Sequence, residues 1–335
     1  MSYQRVVISR YGGPEVLQVE VKNQLPLPQN GEVRVRMLST SASFTDTLIR
    51  RGIYYGIKQK PPFTPGYDLV GVVDALGSGV TEIKVGQQVA ALTVTGAYSE
   101  FLCLPAASCV PVPAGLDPGE AVSLVLTYVT AYQMLHRLAK VRPGQRVLIH
   151  GASGAVGSAL VQLGRLLELE LYGTVSGENC EMVSGMGAVP IDYLKVDFVA
   201  RLAKFAPSGV DAVFDGIGGS NFKRSFRCLK DGGRLIAYGS LNSMTGKERG
   251  GMLAYPDLML RNFLSKGKSA SIYSIVPLKQ KHPDWFRVDL TELFHMLEEG
   301  KIKPVISKKF KMTEAAEAHR LLEGRGVRGK IVLLA

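Results

Sequence analysis

The chain has 335 residues, of which 46% are hydrophobic and 21% charged. Its length predicts two domains rather than one core, and its composition excludes a disordered or fibrous chain. The formal net charge of +11 favours anionic partners such as nucleotide phosphates, acidic lipids or nucleic acid. Because the basic residues are spread along the chain, we interpret them as the solvated surface of a basic protein and predict no DNA partner.

Short strands and glycine turns characterise the first 120 residues. The alternation or apolar runs typical of strands occur at residues 1–10, 32–38, 67–76 and 85–91. Many short strands separated by glycine turns predict a barrel-like β fold. A helix is predicted near 119–138, and because its apolar stretch is too short and too polar to span a bilayer, we expect it to be buried.

Helices and strands alternate from about residue 118 onward. Strands are predicted at residues 146–150, 170–175, 188–191, 210–214 and 233–238, and helices at 155–167, 178–186, 195–204 and 220–229. This alternation predicts an open parallel sheet, and the continuous apolar strands indicate that helices cover both faces. A further strand at 269–275 is predicted to close one edge of the sheet.

The last segment combines both kinds of element. Helices are predicted at 289–299 and 313–323 and strands at 304–310 and 329–334, and the terminal strand is expected to return to the first domain. The densest basic cluster alternates with apolar residues, which is typical of the outer face of a strand rather than of a nucleic-acid arm. It consists of Lys308, Lys309 and Lys311, interleaved with Phe310 and Met312.

A glycine-rich turn follows the strand at 146–150, and a helix with one apolar face comes next. The turn reads Gly151-Ala152-Ser153-Gly154-Ala155-Val156-Gly157. The small residues Gly154 and Ala155 would let free N–H groups and the positive helix end approach a pyrophosphate, and Gly157 lets the helix pack on the strand. Such a string is weak alone, but its place within a βαβ unit predicts a dinucleotide site; a tight turn without a ligand is the alternative.

The second strand of this unit ends without an acidic residue, in Thr174-Val175-Ser176-Gly177. NAD sites usually place Asp or Glu there for the ribose hydroxyls, so the sequence favours NADPH over NADH. Glu178 follows, but we predict it in the first turn of a helix that Ser176 caps, where an acidic residue stabilises the helix dipole.

Cysteine usage predicts reduced thiols and no local metal motif, because no Cys-x-x-Cys pair or neighbouring histidine is present. The four cysteines are Cys103, Cys109, Cys180 and Cys228. No apolar leader precedes the first predicted strand, so a cytoplasmic protein is expected.

Ordered motifs along nearly the whole chain carry a resemblance to a known family. They include Gly12-Gly13-Pro14-Glu15-Val16-Leu17, Asp46-x-x-x-Arg50-x-Gly52-x-Tyr54, Pro65-Gly66-Tyr67-Asp68, Asp215-Gly216-Ile217-Gly218-Gly219 and Ala318-His319-Arg320-Leu321-Leu322. Each is weak alone, but in this order they resemble the medium-chain dehydrogenase/reductase superfamily, in particular the zeta-crystallin-like quinone oxidoreductases near the vesicle amine transport protein group. The resemblance implies an α/β fold with a GroES-like β-barrel-type catalytic domain (1–122 and 276–335) and a Rossmann domain with a doubly wound parallel sheet (123–275).

The sequence departs from the zinc-dependent alcohol dehydrogenases of this superfamily. Their Gly-His-Glu motif corresponds to Gly66-Tyr67-Asp68, and no cysteine precedes Cys103. Without thiolate or imidazole ligands nothing holds a zinc ion to polarise a carbonyl. The resemblance therefore implies zinc-independent chemistry and no metal site.

The resemblance also implies which residues bind NADPH. A pocket for its 2′-phosphate would comprise Ser176, Asn179, Tyr193 and Arg325. The family's usual Lys is Asn179 here, while Tyr193 and the fork of Arg325 suit a phosphate; a surface tyrosine and a solvated loop charge are the alternatives. Further contacts are implied for Thr130, Ser153, Gly154, Ala155, Val156, Gly157, Gly218, Tyr238, Gly239 and Ser240. For Thr130, a buried helix hydroxyl is the alternative.

Three catalytic candidates are implied near the nicotinamide, namely Ser43, Asp46 and Tyr54. The family's usual residue at position 43 is Asn, and a serine reaches less far. Tyr54 would donate a proton, form a stacking wall or simply pack under a loop. Asp46 either orients Ser43 or caps a helix beginning at Thr47, and the cap is favoured. His150 is interpreted as structural, and the other histidines as surface or core residues.

These features favour an NADPH-dependent reductase that transfers a hydride to a quinone or an α,β-unsaturated carbonyl. The alternatives are an enoyl-thioester reductase and a nucleotide-binding interaction protein with little turnover, for which RNA is a less favoured partner. The open edge of the strand at 269–275 predicts a twofold homodimer, because an unpaired edge strand risks aggregation.

Overall fold

The computed structural model describes residues 1–54, 56–244, 254–265, 267–324 and 326–335. It divides into two compact units, Met1–Val129 with Phe286–Ala335, and Thr130–Trp285. The first unit contains the strands β1 (Tyr3–Ile8), β2 (Leu17–Lys22), β3 (Glu32–Ala42), β4 (Asp68–Leu76), β5 (Gln88–Leu92), β6 (Phe101–Pro105) and β7 (Val110–Pro111). The second contains β8 (Arg146–His150), β9 (Glu170–Val175), β10 (Val189–Asp192), β11 (Val210–Asp215), β12 (Leu229–Ala237) and β13 (Ser269–Ile272). Strands β14 (Ile306–Lys311) and β15 (Lys330–Leu334) complete the first unit.

Twelve α-helical segments lie in the described part of the chain. They are α1 (Phe44–Arg50), α2 (Pro118–Ser123), α3 (Val129–Gln133), α4 (Ala155–Leu166), α5 (Cys180–Gly185), α6 (Phe198–Phe205), α7 (Ser220–Arg227), α8 (Leu241–Met244), α9 (Ala254–Leu264), α10 (Ile275–Lys281), α11 (Pro283–Glu298) and α12 (Ala315–Glu323). Helix α11 begins six residues before the predicted start, because a proline is well suited to the first helical position.

The first unit is built on one sheet beside the β1–β2 hairpin. Its strand order is β14-β15-β3-β4-β5-β7, with β6 also paired to β3. Val33, Val35 and Met37 of β3 are fully buried, which confirms the predicted alternation. The return of the terminal strand is also confirmed, since Ile331 of β15 pairs with Ala42 of β3.

Several predicted strands have different limits in the structure; β12, for example, begins at Leu229 rather than at 233. Strand β5 begins at Gln88 rather than at 85, because Gly86 adopts a φ of +87° in a turn. Strand β13 ends at Ile272 rather than at 275. The amide of Tyr273 makes a last bond to Ala237 of β12, and Ser274 then precedes α10.

The helix predicted near 119–138 is an unbroken run of helical segments. Two π-helical segments, Leu124–Tyr128 and Met134–Ala139, alternate with α2 and α3. Leu124, Val125 and Leu135 are fully buried, which confirms the prediction of a buried helix. Within the described ranges, no helix is both long enough and apolar enough to cross a membrane.

The second unit contains a six-stranded parallel sheet with the order β10-β9-β8-β11-β12-β13. From β8 the chain adds β9 and β10 on one side, and then crosses back to add β11, β12 and β13 on the other. This confirms the doubly wound sheet. The order reverses between β8 and β11, and in such sheets a ligand binds outside the carboxyl ends of the strands at this switch point.

Candidate active site

The glycine turn lies at the carboxyl end of β8, beside the switch point. Gly154 precedes α4, and its amide donates to the carbonyl of Gly151 at 2.9 Å. A Cβ on Gly157 would lie 2.1 Å from Gly151 O and 2.7 Å from Ala152 Cα, so only glycine is tolerated there. The first amides of α4 have no partner within the helix. Free amides of this kind at a helix N-terminus can bind a phosphate.

Two further loops meet at the same edge of the sheet, after β11 and β12. A Cβ on Gly216 would lie 2.9 Å from the Tyr238 ring, and one on Gly218 would lie 2.7 Å from Ser240 Cα. A Cβ on Gly239 would in turn lie 2.8 Å from Gly216 O. The structure therefore brings together four of the predicted cofactor residues, namely Gly218, Tyr238, Gly239 and Ser240, and the close packing of these loops requires glycines.

Asp215, which the sequence analysis did not assign to the site, holds the first of these loops. Its buried carboxylate accepts hydrogen bonds from the amides of Ile217 at 2.8 Å and Gly218 at 3.1 Å through Oδ1. Oδ2 accepts from Ser225 Oγ at 2.7 Å and from Asn221 Nδ2 at 2.9 Å. The signal available in the sequence was a carboxylate at the end of an apolar strand, followed by glycines.

His150 connects this loop to the glycine turn. Its Nε2 lies 2.9 Å from Ser225 Oγ and its Nδ1 lies 3.0 Å from Thr174 Oγ1, which also accepts from the amide of Gly151. Because Ser225 gives its one proton to Asp215, it accepts from Nε2 of His150, and Nδ1 accepts from Thr174. Burial lowers the pKa of His150, which agrees with this neutral form. His150 therefore has the structural role that the sequence predicts, and this role is to connect the two loops.

The residues predicted for the 2′-phosphate lie after β9 and β10. Asn179 Nδ2 donates to Ser176 Oγ at 2.8 Å, and the amide of Tyr193 donates to Val175 O at 3.2 Å. Ser176 precedes a 3-10 turn, Gly177–Asn179, although it makes no side-chain capping bond there. The Tyr193 side chain is half exposed (53%). Arg325 lies outside the described residues.

In the first unit, Ser43 and Asp46 form one hydrogen-bonded pair. Helix α1 begins at Phe44 rather than at Thr47, so the favoured interpretation of Asp46 as the residue that precedes the helix is wrong. Ser43 has that position, and Asp46 accepts from its amide at 2.9 Å and its hydroxyl at 2.6 Å, both through Oδ2. The alternative, that Asp46 orients Ser43, describes the structure. The physical reason is that an acid three residues inside a helix can reach back to the residue before it.

Tyr54 packs edge-to-face against Tyr67, with ring centroids 6.1 Å apart. The two hydroxyl oxygens are 3.0 Å apart, so one donates to the other. Burial raises the pKa of Tyr54. Tyr54 is therefore a weak acid held by a neighbouring phenol. Thr130, which is 6% exposed, belongs to α3 in the second unit.

A buried ion pair beside Ser43 was missed by the sequence analysis. Asp68 Oδ1 accepts from the amide of Ser41 at 3.1 Å and from its hydroxyl at 2.5 Å, and Lys330 Nζ lies 3.9 Å from Asp68 Oδ2. Both charged side chains are almost completely buried, at 0% and 4% exposure. In the sequence, Asp68 and Lys330 are each a charged residue next to an apolar strand. This pattern does not reveal that the two side chains meet.

The chain is similar to several known proteins. Two family models match, an alcohol dehydrogenase GroES-like domain over residues 29–114 and a zinc-binding dehydrogenase over residues 186–333. The synaptic vesicle membrane protein VAT-1 homolog of Danio rerio is 32% identical over 340 residues, which cover 99% of this chain and 70% of that protein. The quinone oxidoreductase of Rattus norvegicus is 31% identical over 98% of this chain and 96% of its own.

A solved structure extends the likeness to three dimensions. Escherichia coli quinone oxidoreductase, solved in complex with NADPH, is 28% identical and superposes with a TM-score of 0.87. The match covers 99% of this chain and 100% of that one.

Proposed function

Because the chain belongs to the medium-chain dehydrogenase/reductase superfamily, in the zeta-crystallin-like branch with the quinone oxidoreductases and VAT-1 proteins, we propose that it is an NADPH-dependent reductase. Its proposed reaction transfers a hydride to a quinone or an α,β-unsaturated carbonyl, without zinc. The observation that carries the proposal is the reversal of strand order between β8 and β11, directly beneath the glycine turn and the Asp215 loop.

The residues at the switch point suit a dinucleotide. The turn that ends at Gly157 leaves backbone amides of α4 available for a pyrophosphate, and a side chain at position 157 would collide with the backbone of Gly151 and Ala152. The loops that contain Gly218 and Ser240 would hold the nicotinamide half. When bound, NADPH supplies the hydride, and the chain positions it and the acceptor.

The adenosine end supports NADPH over NADH. Ser176 and the half-exposed Tyr193 offer hydroxyl groups for a 2′-phosphate. An acidic residue is nearby, since Asp192 Oδ2 would lie 2.7 Å from a Cβ on Gly177, but Lys195 Nζ is 3.8 Å from the same oxygen and offsets its charge. We also propose Arg325 as a ligand of the 2′-phosphate, on the basis of the sequence motif.

Zinc-independent chemistry is supported by the side chains of the first unit. Tyr67 follows Gly66 and packs on Tyr54, where a zinc dehydrogenase has a histidine ligand. The chain would therefore stabilise the developing charge on the acceptor oxygen by hydrogen bonds, for which Ser43 and Tyr54 are the candidates.

The test is a fluorescence titration with NADPH and with NADH, followed by turnover with 1,4-benzoquinone, methyl vinyl ketone and an enoyl thioester. We expect tighter binding of NADPH, turnover of the quinone or the ketone, and no loss of activity after treatment with a zinc chelator. Preferred turnover of the thioester would favour the enoyl reductase. Tight binding without turnover would favour an interaction protein, and failure to bind either nucleotide would refute the proposal.

A further inference from the structure

Reduction of a quinone or an enone requires a proton as well as a hydride, and a buried acid lies next to Ser43. Asp46 is fully buried, and its Oδ2 accepts both hydrogen bonds from Ser43. Its Oδ1 is also buried and receives no hydrogen bond from the described residues. A negative charge on a buried oxygen without a donor is unfavourable. The geometry therefore favours a proton on Asp46.

The neighbouring carboxyl of Asp68 differs from Asp46 in having a counterion, although burial raises its pKa as well and its Oδ2, like Asp46 Oδ1, receives no hydrogen bond from the described residues. It receives two hydrogen bonds from Ser41 and has Lys330 as a counterion. A negative charge on Asp68 further disfavours a second one on Asp46. The counterion makes Asp68 the carboxyl that keeps its charge and Asp46 the one that holds its proton, the pattern that separates bases from acids in active sites.

The pKa of Asp46 agrees with this assignment. Burial raises it to about 7, and the charge of Asp68 adds to the effect, while the hydrogen bonds from Ser43 and the charge of Lys330 oppose it. The titratable groups that face Asp46 are Asp68, Lys330, Tyr54 and Tyr98. An acid whose pKa is near the working pH is the most effective proton donor.

Ser43 has one hydroxyl proton, and the state of Asp46 decides where it points. While Asp46 is ionised, Ser43 donates to Oδ2 at 2.6 Å and has no proton for a substrate. Once Asp46 is protonated, it donates to Ser43 Oγ, and the serine, which is 9% exposed, is free to donate outward. The competing donor, Tyr54, is a weaker acid than usual because burial raises its pKa.

We propose that Ser43 donates the proton of the reaction and that Asp46 is the acid that reloads it, a role that rests on the proposed function. Hydride addition leaves a negative charge on the substrate, as an enolate or a hydroquinone anion. The O–H bond of Ser43 breaks as the new bond to the substrate forms, and Ser43 Oγ takes the proton of Asp46. Asp46, now ionised, regains a proton from solvent through Ser43 after the product leaves, so one hydride and one proton enter each substrate.

The experiment measures kcat and KM between pH 5.5 and 9 with NADPH and methyl vinyl ketone or 1,4-benzoquinone, whichever is reduced faster. For the wild type, kcat should fall tenfold per pH unit above about pH 7. Asp46→Asn and Ser43→Asn keep a hydrogen-bond donor but cannot relay a proton. Both variants should lower kcat about 100-fold and abolish this descent of kcat with rising pH, with little change in KM. Ser43→Thr restores a hydroxyl and should restore the descent. Thr47→Val, on the same helix, is the matched control and should behave as the wild type.

A measurement without substrate guards against variants that merely misfold. If Asp46 keeps its proton in the folded protein, the folded state binds one more proton than the unfolded state between about pH 4 and 7. The folding equilibrium constant of the wild type, relative to Asp46→Asn, should then fall about tenfold per pH unit over that range. The proposal is overturned if this difference is absent, or if Tyr54→Phe, rather than Ser43→Asn, abolishes the descent of kcat. A wild type without turnover refutes the proposed function itself, and the inference with it.

Discussion

Arg50 donates from Nη1 to Nδ1 of His319 over 3.2 Å, although 269 residues separate them in the chain. An arginine can only donate, so the proton of His319 is on Nε2, which donates to Tyr98 Oη at 3.1 Å. Arg50 also donates to Gly12 O and to Glu323. One fully buried guanidinium thus joins the N-terminal segment, α1 and α12 of the first unit.

Arg50→Lys should destabilise the protein strongly, because one ammonium group cannot reach three acceptors that lie on different sides. We expect the free energy of unfolding in urea to fall by about 3 kcal/mol. Arg51→Lys is the matched control, because Arg51 binds the same Glu323 at 2.8 Å but is 38% exposed. Its effect should be below about 1 kcal/mol. Equal losses in the two variants would contradict the role given to Arg50.

His319 should make the protein sensitive to acid. Burial, assisted by Arg50, lowers its pKa to about 3 from 6.5. Between these pH values the unfolded state binds the extra proton, so stability falls as the pH drops from 6.5 towards 3, at most by about 1.4 kcal/mol per unit. His319→Gln, which can still accept from Arg50 and donate to Tyr98, should reduce this slope in urea titrations at pH 5 to 7. The exposed His295→Gln should leave it unaltered, and an equal slope in all three proteins would show that His319 is not buried in its neutral form.

Ser225→Ala should weaken NADPH binding without any contact to the cofactor. It interrupts the chain from Gly151 through His150 to Asp215 and leaves a buried Nε2–H of His150 without an acceptor. We expect the Kd for NADPH, measured by fluorescence titration, to rise about tenfold, or about 1.4 kcal/mol. Ser158→Ala removes a hydroxyl that donates within α4, to Ala155 O, and should leave the Kd nearly unchanged.

Gly157→Ala should abolish NADPH binding, because the added methyl group would overlap the backbone of Gly151 and Ala152. Gly185→Ala is a suitable control. It lies in α5 with open space around its Cβ position, and it should be slightly stabilising. Thermal unfolding with and without NADPH measures both effects. A shift in Tm on addition of NADPH that survives in Gly157→Ala would argue against the turn as the pyrophosphate site.

The predicted homodimer would use the outer edge of β13. The amide of Ala270 points away from β12 and donates to Asn262 Oδ1 at 2.7 Å, whereas that of Tyr273 bonds β12. By the two-residue period of a strand, the amide of Ile272 also points outward. Ile272→Pro should therefore convert the dimer to a monomer in light scattering without breaking the sheet, and Ile272→Val should remain dimeric. A monomeric wild type would refute the dimer.

Local features of the sequence were sufficient for most of the architecture. The alternation of β3, the apolar strands of the parallel sheet and the glycine turn before α4 depend on residues that are close together in the chain, and their periods of 2 and 3.6 reflect backbone geometry alone. The glycine-rich loops could also be predicted from local sequence, because a close approach of two backbone segments leaves no room for a Cβ. Element limits were less certain, as β13 illustrates, because the end of a strand depends on which amides still have a partner.

The sequence by itself determined the family, the doubly wound sheet, the position of the dinucleotide turn and the identity of the candidates Ser43, Asp46 and Tyr54. Only the tertiary structure decided what the candidates do. The protonation of Asp46 depends on its burial and on Asp68 and Lys330, and the tautomer of His319 depends on Arg50. These partners are distant in the chain, and the electrostatic effect of a charge is set by its distance and by the exclusion of water. Neither quantity exists until the chain has folded.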